Sequence, residues 1–169
     1  YVTGKTVLVT GAGGSIGSEI VRQVCRFSPD RIVLLGRGEN SIFHIDGELA
    51  RDWPAIERTA IITDIRDADA LENVFRKYNP QVVFHAAAHK HVPLMEANPD
   101  QAVFNNVGGT RNLVNLALEY GVQRFVNVST DKAVNPTSMM GASKRVAEEV
   151  VACAARQAAP GQQFVSVRF

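Results

Sequence analysis

Between a β-branched stretch, Lys5 to Thr10, and a segment of helical period opening at Ser15 lies the run Gly11-Ala12-Gly13-Gly14-Ser15-Ile16-Gly17. A strand that turns this directly into a helix has few continuations, because the next strand must come back parallel to the first. The rest of the chain supplies that continuation. Strands are predicted at Lys5 to Thr10, Arg31 to Leu35, Arg58 to Ile62, Gln81 to His85, Arg124 to Ser129 and Gln163 to Arg168. Helical period alternates with them at Ser15 to Phe27, Asn40 to Asp52, Asp67 to Tyr78, Asn98 to Tyr120 and Met140 to Ala158. Gly121, Pro80 and Pro160-Gly161 punctuate the boundaries. Most strands are apolar on both faces, so helices must cover both sides, and the predicted fold is a doubly wound parallel α/β sheet.

In that setting the glycines acquire separate tasks. Gly11 permits the tight turn, Gly14 lets the backbone approach a pyrophosphate, and Gly17 allows the helix to pack closely on the strand. The helix N-terminus then faces the phosphates. These are the requirements of a dinucleotide-binding, Rossmann-type domain, and Thr10, Gly11, Gly13, Gly14, Ser15, Ile16 and Gly17 are its candidate contacts. No Gly-Lys-Ser or Gly-Lys-Thr follows, which excludes a Walker-type loop. The second strand ends at Leu35-Gly36-Arg37, where an NAD-selective enzyme usually places a carboxylate for the ribose hydroxyls. Arg37 could accept a 2′-phosphate, Glu39 could bind a ribose instead, and Arg37 could equally be a solvated loop residue. The expected cofactor is NADP or NAD, with a lean to NADP.

Composition removes other classes. The 18 basic and 17 acidic residues leave a net charge of +1, with no basic tract of the kind that binds nucleic acid. No apolar run reaches the roughly 18 residues of a membrane span. Cys25 and Cys153 show no CxxC or histidine spacing and are read as packing residues. His85, His89 and His91 have odd spacing in an extended segment, which raises a metal site as one reading; the reading preferred is that no metal is bound. The chain opens at Tyr1 rather than Met and stops at Phe169 within a strand-like run, so it is expected to be part of a longer protein, residues 1–169 forming one nucleotide-binding domain.

The fifth strand runs into Ser129-Thr130-Asp131-Lys132, at the strand end where ligands of open α/β sheets bind. Asp131 could serve there as an acid and Lys132 as a base if burial and mutual charge bring their proton affinities toward neutrality; a plain surface ion pair is the alternative. Farther on, Met140 and Lys144 are four residues apart and share a helix face.

The loop resembles the Thr-Gly-x-x-Gly-x-x-Gly signature of extended short-chain dehydrogenases/reductases, whose Tyr-x-x-x-Lys pair falls at Met140 and Lys144. A thioether cannot exchange a proton at working pH. The segments His85-Ala-Ala-Ala-His-Lys-His91 and Ser129-Thr-Asp-Lys-Ala-Val-Asn-Pro136, with Ser138-Met-Met-Gly-Ala-Ser-Lys144, are similar to the bacterial UDP-N-acetylglucosamine 4,6-dehydratases of polysaccharide biosynthesis. Within these they resemble the CapD/WbpM/PglF-like group, in which the tyrosine position is methionine.

That resemblance implies a tightly bound NAD(P)+ that takes hydride from C4 of the sugar and returns it to C6 after water leaves across C5 and C6. It implies that Asp131 protonates the departing C6 hydroxyl, Lys132 removes the C5 proton, Thr130 hydrogen-bonds the C4 oxygen and Lys144 orients the ribose. The C4 hydroxyl proton would go to Asp131, or to Lys144 through a water. Asp64 and Ile65 would meet the adenine, and the stretch Ala86 to Lys90, with Ala87 and Ala88, would lie beside the nicotinamide, with Lys90 and His91 near the substrate. Ser129 and Asn105 join the cofactor contacts, and Asn106 supports the backbone nearby. The product would retain configuration at C5, inversion being the alternative. The resemblance further implies a homo-oligomer, a separate C-terminal substrate portion and a parent anchored in the inner membrane with this domain on the cytoplasmic side. A sugar-nucleotide 4-epimerase and a non-catalytic nucleotide-sensing module are the competing readings.

Overall fold

The computed structural model describes residues 1–169. Its six strands are β1 (Thr6–Thr10), β2 (Arg31–Gly36), β3 (Glu57–Ile62), β4 (Val82–His85), β5 (Arg124–Val128) and β6 (Gln163–Val167). They form one sheet in the order β3-β2-β1-β4-β5-β6 with every neighbouring pair parallel. The doubly wound prediction therefore holds. The chain winds outward from β1 to β3 and then returns to β4 on the other side of β1, so a crevice opens beyond the carboxyl ends of β1 and β4.

Helices α1 (Ser15–Cys25) and α2 (Glu39–Asp52) cover one face, burying Val21, Val24, Ile42, Ile45 and Leu49 against Val7, Val9, Ile32 and Leu34. The other face is covered by α3 (Ala68–Tyr78), α6 (Thr110–Glu119) and α7 (Met139–Gln157) over Leu8, Val33, Val83, Phe125 and Phe164. Alternate residues of each strand thus feed two separate cores, which is why the strands read as apolar on both faces. β3 is the exception. As an edge strand it has no fully buried residue.

Local chemistry sets the ends of these elements. Asp67 caps α3 by accepting from the Ala70 N–H at 3.0 Å, and Asn79 closes it in the left-handed region at φ 43°.

Four expectations need correction. The region from Asn98 to Tyr120 is not one regular helix: α5 (Pro99–Ala102) passes into a π-helical segment, Val103–Gly109, before α6. The wider π turn turns Asn105 and Asn106 into the interior, and Gly109 allows it because a Cβ there would overlap the Ile65 side chain. A further helix, α4 (Val92–Ala97), lies where none was predicted, its proline at the first turn. Ser129 falls just beyond β5, and Asp131–Ala133 form a 3-10 turn. Cys153 is exposed on α7, with Arg156 donating to its sulfur at 2.9 Å, so only Cys25 is a packing residue.

Candidate active site

At the crevice between β1 and β4 lies a cleft of about 280 Å³. The glycine loop forms one wall. Gly11 has φ +68°, and a Cβ on it would stand 2.8 Å from the Ala87 nitrogen on the β4 side. A Cβ on Gly13 would come within 2.5 Å of the Ser41 hydroxyl, and one on Gly17 would overlap the Gly11 carbonyl oxygen. Gly14 is the N-cap of α1 and no side chain caps that helix, which leaves its first-turn N–H groups free for an anion.

Of the residues singled out in the sequence, Gly11, Gly13, Gly14, Arg37, Asp64, Ile65, Ala86, Ala87, Ala88 and Asn105 line this cleft. Thr10 does not, because it is fully buried beneath the loop. Gly17 is buried against Gly11, while Ser15, Ile16, Glu39 and Lys90 are exposed outside the cleft wall. His89, within the predicted Ala86 to Lys90 stretch, lines it too, and Leu35, Gly36, Gly38, Ser41 and Thr63 line it without having been predicted. Ser41 carries the clearest missed signal, since its hydroxyl donates to the Gly38 carbonyl at 2.8 Å and so closes the β2–α2 turn. Asp64 binds the Arg66 guanidinium through both oxygens, at 3.0 and 2.7 Å, which holds its carboxyl below the usual range. Burial, and then the positive charge of Arg37, lower the proton affinity of His89.

The second group of residues lies past β5. Thr130 donates its hydroxyl proton to the Asp131 carboxylate at 3.0 Å, and the Lys132 ammonium does so at 3.2 Å. The Asp131 and Lys132 side chains are 73% and 56% exposed. The expected drift toward neutrality is therefore not found at Asp131: its hydrogen bonds from Lys132 and then Thr130 push its carboxyl below the ordinary value, as in an open ion pair.

Helix α7 brings the last components to this turn. Ser138 caps it by accepting from the Gly141 N–H at 3.1 Å, and Glu96 at the end of α4 accepts from the Met139 N–H at 2.6 Å. A Cβ on Gly141 would stand 2.5 Å from the Lys132 carbonyl, so only glycine lets the helix approach the 3-10 turn this closely. Through Glu96 the same helix is tied to α4, which follows the exposed Lys90 and His91.

Lys144 is 5% exposed, and its ammonium donates to the Val128 carbonyl at 2.8 Å. Burial brings its pKa down to about 8, against the opposing pull of Glu148. Met140 is buried in a small apolar cluster with Met95 and Ala102 and does not line the cleft.

Glu148, one turn beyond Lys144, was not foreseen. It accepts from the Ser129 hydroxyl at 2.5 Å and from both arms of the Arg168 guanidinium at 2.9 and 2.6 Å. It thereby anchors the residue that opens the Thr130-Asp131-Lys132 turn. The histidines do not converge: His85 is in the core between Thr10 and Thr110, His89 lines the cleft, and His91 is exposed.

Residues 7–169 match the model of a family described as polysaccharide biosynthesis protein. The chain belongs to that family. Among its relatives is the capsular polysaccharide biosynthesis protein CapD of Staphylococcus aureus, 51% identical over 99% of this chain and 28% of that protein. A UDP-N-acetylglucosamine 4,6-dehydratase (inverting) of Campylobacter jejuni is 33% identical over 89% of this chain and 43% of its own length. The solved structure of DesIV, a dTDP-glucose 4,6-dehydratase from Streptomyces venezuelae with NAD bound, matches with a TM-score of 0.81 and 28% identity, covering 96% of this chain and 55% of that one. The chain thus spans between about a quarter and a half of these relatives.

Proposed function

We propose that this chain is the dinucleotide-binding part of a UDP-N-acetylglucosamine 4,6-dehydratase of polysaccharide biosynthesis. The observation that carries the reading is the meeting of two features. One is a Thr130-Asp131-Lys132 turn carrying an acid and a base side by side; the other is a helix that presents a buried lysine at Lys144 but Met140 where an epimerase-type site needs a tyrosine.

A nicotinamide dinucleotide fits the cleft, because Gly11, Gly13 and Gly17 keep clear the backbone cradle that Cβ atoms would fill. Gly11, Gly13 and Gly14 would hold the pyrophosphate with the N–H groups of Ser15 and Ile16, and Asp64 and Ile65 would hold the adenine. Ala86, Ala87, Ala88 and Asn105 would border the nicotinamide, with Lys144 and Ser129 at its ribose. When bound, the group supplies a hydride acceptor for C4 of the sugar and a donor for C6.

The remaining chemistry belongs to the chain. Thr130 hydrogen-bonds the C4 oxygen. Lys132, having released its ammonium proton to solvent before the substrate closes over the turn, removes the C5 proton as a neutral amine; the C6–O bond breaks, and Asp131 delivers a proton to the departing hydroxyl, so that water leaves. In its open state Asp131 is a carboxylate paired with Lys132, which suits it to take the C4 hydroxyl proton first and then pass a proton to C6. Closure of the substrate over this turn removes the solvent that favours the charged form, raising Asp131 toward the range an acid needs. Lys90 and His91, exposed before α4, would meet the substrate.

The test is incubation of the full-length protein carrying this chain with UDP-N-acetylglucosamine and catalytic NAD(P)+, followed by mass and proton NMR. Loss of one water without net cofactor reduction is expected, with C5 retained. Asp131→Asn and Lys132→Ala should each lower turnover by roughly 100-fold or more. An unchanged mass with a new C4 epimer would replace this reading with an epimerase. Cofactor binding without any turnover would replace it with a sensing role.

Cofactor choice follows from the β2–α2 turn. Arg37 lines the cleft and the turn itself offers no carboxylate, which favours the 2′-phosphate of NADP. Arg37→Ala should weaken NADP+ by about tenfold and leave NAD+ nearly unchanged in a fluorescence titration. An equal loss for both would assign Arg37 to a shared part of the cofactor.

A further inference from the structure

The group with no role in this chemistry is also among the most deeply buried polar side chains. His85 ends β4, immediately before the Ala86–Ala88 wall of the cleft, and is 1% exposed. Its two ring nitrogens are both bonded: Nδ1 lies 2.7 Å from the Thr10 hydroxyl and Nε2 lies 2.9 Å from the Thr110 hydroxyl.

The tautomer follows from proton counting. The single hydroxyl proton of Thr110 is committed to the Asn106 carbonyl at 2.6 Å, so its oxygen must accept from Nε2–H. Burial and the positive charge of Lys144 keep the ring neutral, so Nδ1 carries no proton and accepts from Thr10. The bonds then run one way, from Thr10 to His85 to Thr110 to Asn106.

The chain does not stop there. The Asn106 side chain uses both of its lone pairs and both of its N–H bonds. Its oxygen accepts from the His89 N–H at 2.8 Å and the Asn105 amide at 3.0 Å. Its nitrogen donates to the His89 carbonyl and the Ser143 hydroxyl, each at 3.0 Å. Ser143 in turn donates to the Met140 carbonyl at 2.8 Å, in the turn of α7 that carries Lys144. Thr10 leads into the glycine loop, so two saturated hydrogen-bonded segments, one ending at the Asn106 main-chain carbonyl and one starting at its side-chain amide, are joined covalently through Asn106 and link that loop, the β4 wall and α7.

We infer that His85 is a positioning residue, held as the Nε2–H tautomer, that couples the glycine loop to the lysine-bearing helix α7 so that cofactor seating and the reacting end of the site move together. The ring carries its acceptor and its donor on opposite edges of one rigid plane, whereas Asn and Gln carry both on a single terminal amide. Gln keeps a donor toward Thr110 and Asn keeps an acceptor toward Thr10, but each breaks the path.

The inference rests on the cleft holding a nicotinamide dinucleotide, and its test separates the two. Nitrogen NMR of the ligand-free protein should show His85 protonated at Nε2 alone, a readout that needs no variant. Nδ1–H would overturn the directed path whatever binds. NAD(P)+ affinity is then measured for Thr10→Val, Ser143→Ala and their combination, first with His85 present and again in His85→Gln and His85→Asn. Coupling predicts that with His85 the double variant departs from the product of the singles by about five- to tenfold, and that the departure vanishes in both His85 variants. A merely structural histidine would lower thermal stability and leave the two substitutions multiplicative in every background, which would overturn the coupling. Wild-type protein that binds neither dinucleotide would overturn the reading of the cleft itself, and the coupling role with it, while leaving the tautomer measured.

Discussion

Gly17→Ala is expected to abolish tight dinucleotide binding and to destabilise the fold by about 3 kcal/mol, read by urea unfolding and by cofactor titration. The added methyl would overlap the carbonyl of Gly11 and press on the backbone of Ala12. All of these are main-chain atoms at the turn between β1 and α1, so no rotamer can relieve the clash. The helix must move off the strand, and its free N–H groups move with it. Gly47→Ala is the matched control. Gly47 sits within α2 with nothing near the place its Cβ would take, so alanine there should stabilise by about 0.5 to 1 kcal/mol. If both variants bound cofactor equally, the close approach of helix to strand would not be what creates the anion site.

Lys144→Met separates function from stability. Folding brings the Lys144 ammonium from its ordinary 10.5 down to about 8, a burden of about 3 kcal/mol on the charged form at neutral pH. The sign follows from proton counts. Between about 8 and 10.5 the unfolded chain holds a proton that the folded chain has released, so folding stability from this group rises with pH across that window. Below about 8 both states are protonated and the burden is present in full. Methionine removes the burden and also the donor to the Val128 carbonyl, which costs about 1 to 3 kcal/mol. The variant should therefore be as stable as wild type or up to about 2 kcal/mol more stable at pH 7, with the rise between pH 8 and 10.5 gone. Turnover of the full-length protein should nevertheless fall by about 100-fold, because under the proposed function Lys144 orients the cofactor ribose. A variant much less stable than wild type would mean that Lys144 serves the fold first.

The elements of this fold were legible because each carries its own periodicity. All six strands and the helices α1, α2, α3 and α7 lie within a few residues of where β-branched runs, glycines and prolines predicted them. Periodicity failed from His91 to Gly109, where two short helices and a π turn carry too few residues to express a period and where Gly108-Gly109 permits geometry no pattern encodes. The exposed Cys153 was misread for a related reason, since a residue on a mixed helix face has no neighbours in sequence to say which side is covered.

What the residues determined alone is the part of the site built by consecutive backbone: the loop from Thr10 to Gly17, the Thr130-Asp131-Lys132 turn, and the pairing of Met140 with Lys144 across one helical turn. Local geometry decides these, and local geometry is written in adjacent residues. The tertiary structure decided everything that depends on burial and on distance between elements. It made Lys144 a buried cation and left Asp131 an open carboxylate, although both are ionisable residues of one motif set. It brought Ser41 into the cleft, Glu148 beneath Ser129, and His85 between two threonines separated from it by 75 and 25 residues. A proton affinity or a hydrogen-bond partner is a property of the surrounding dielectric and of what lies within about 3 Å, and no stretch of sequence contains either until the sheet has folded.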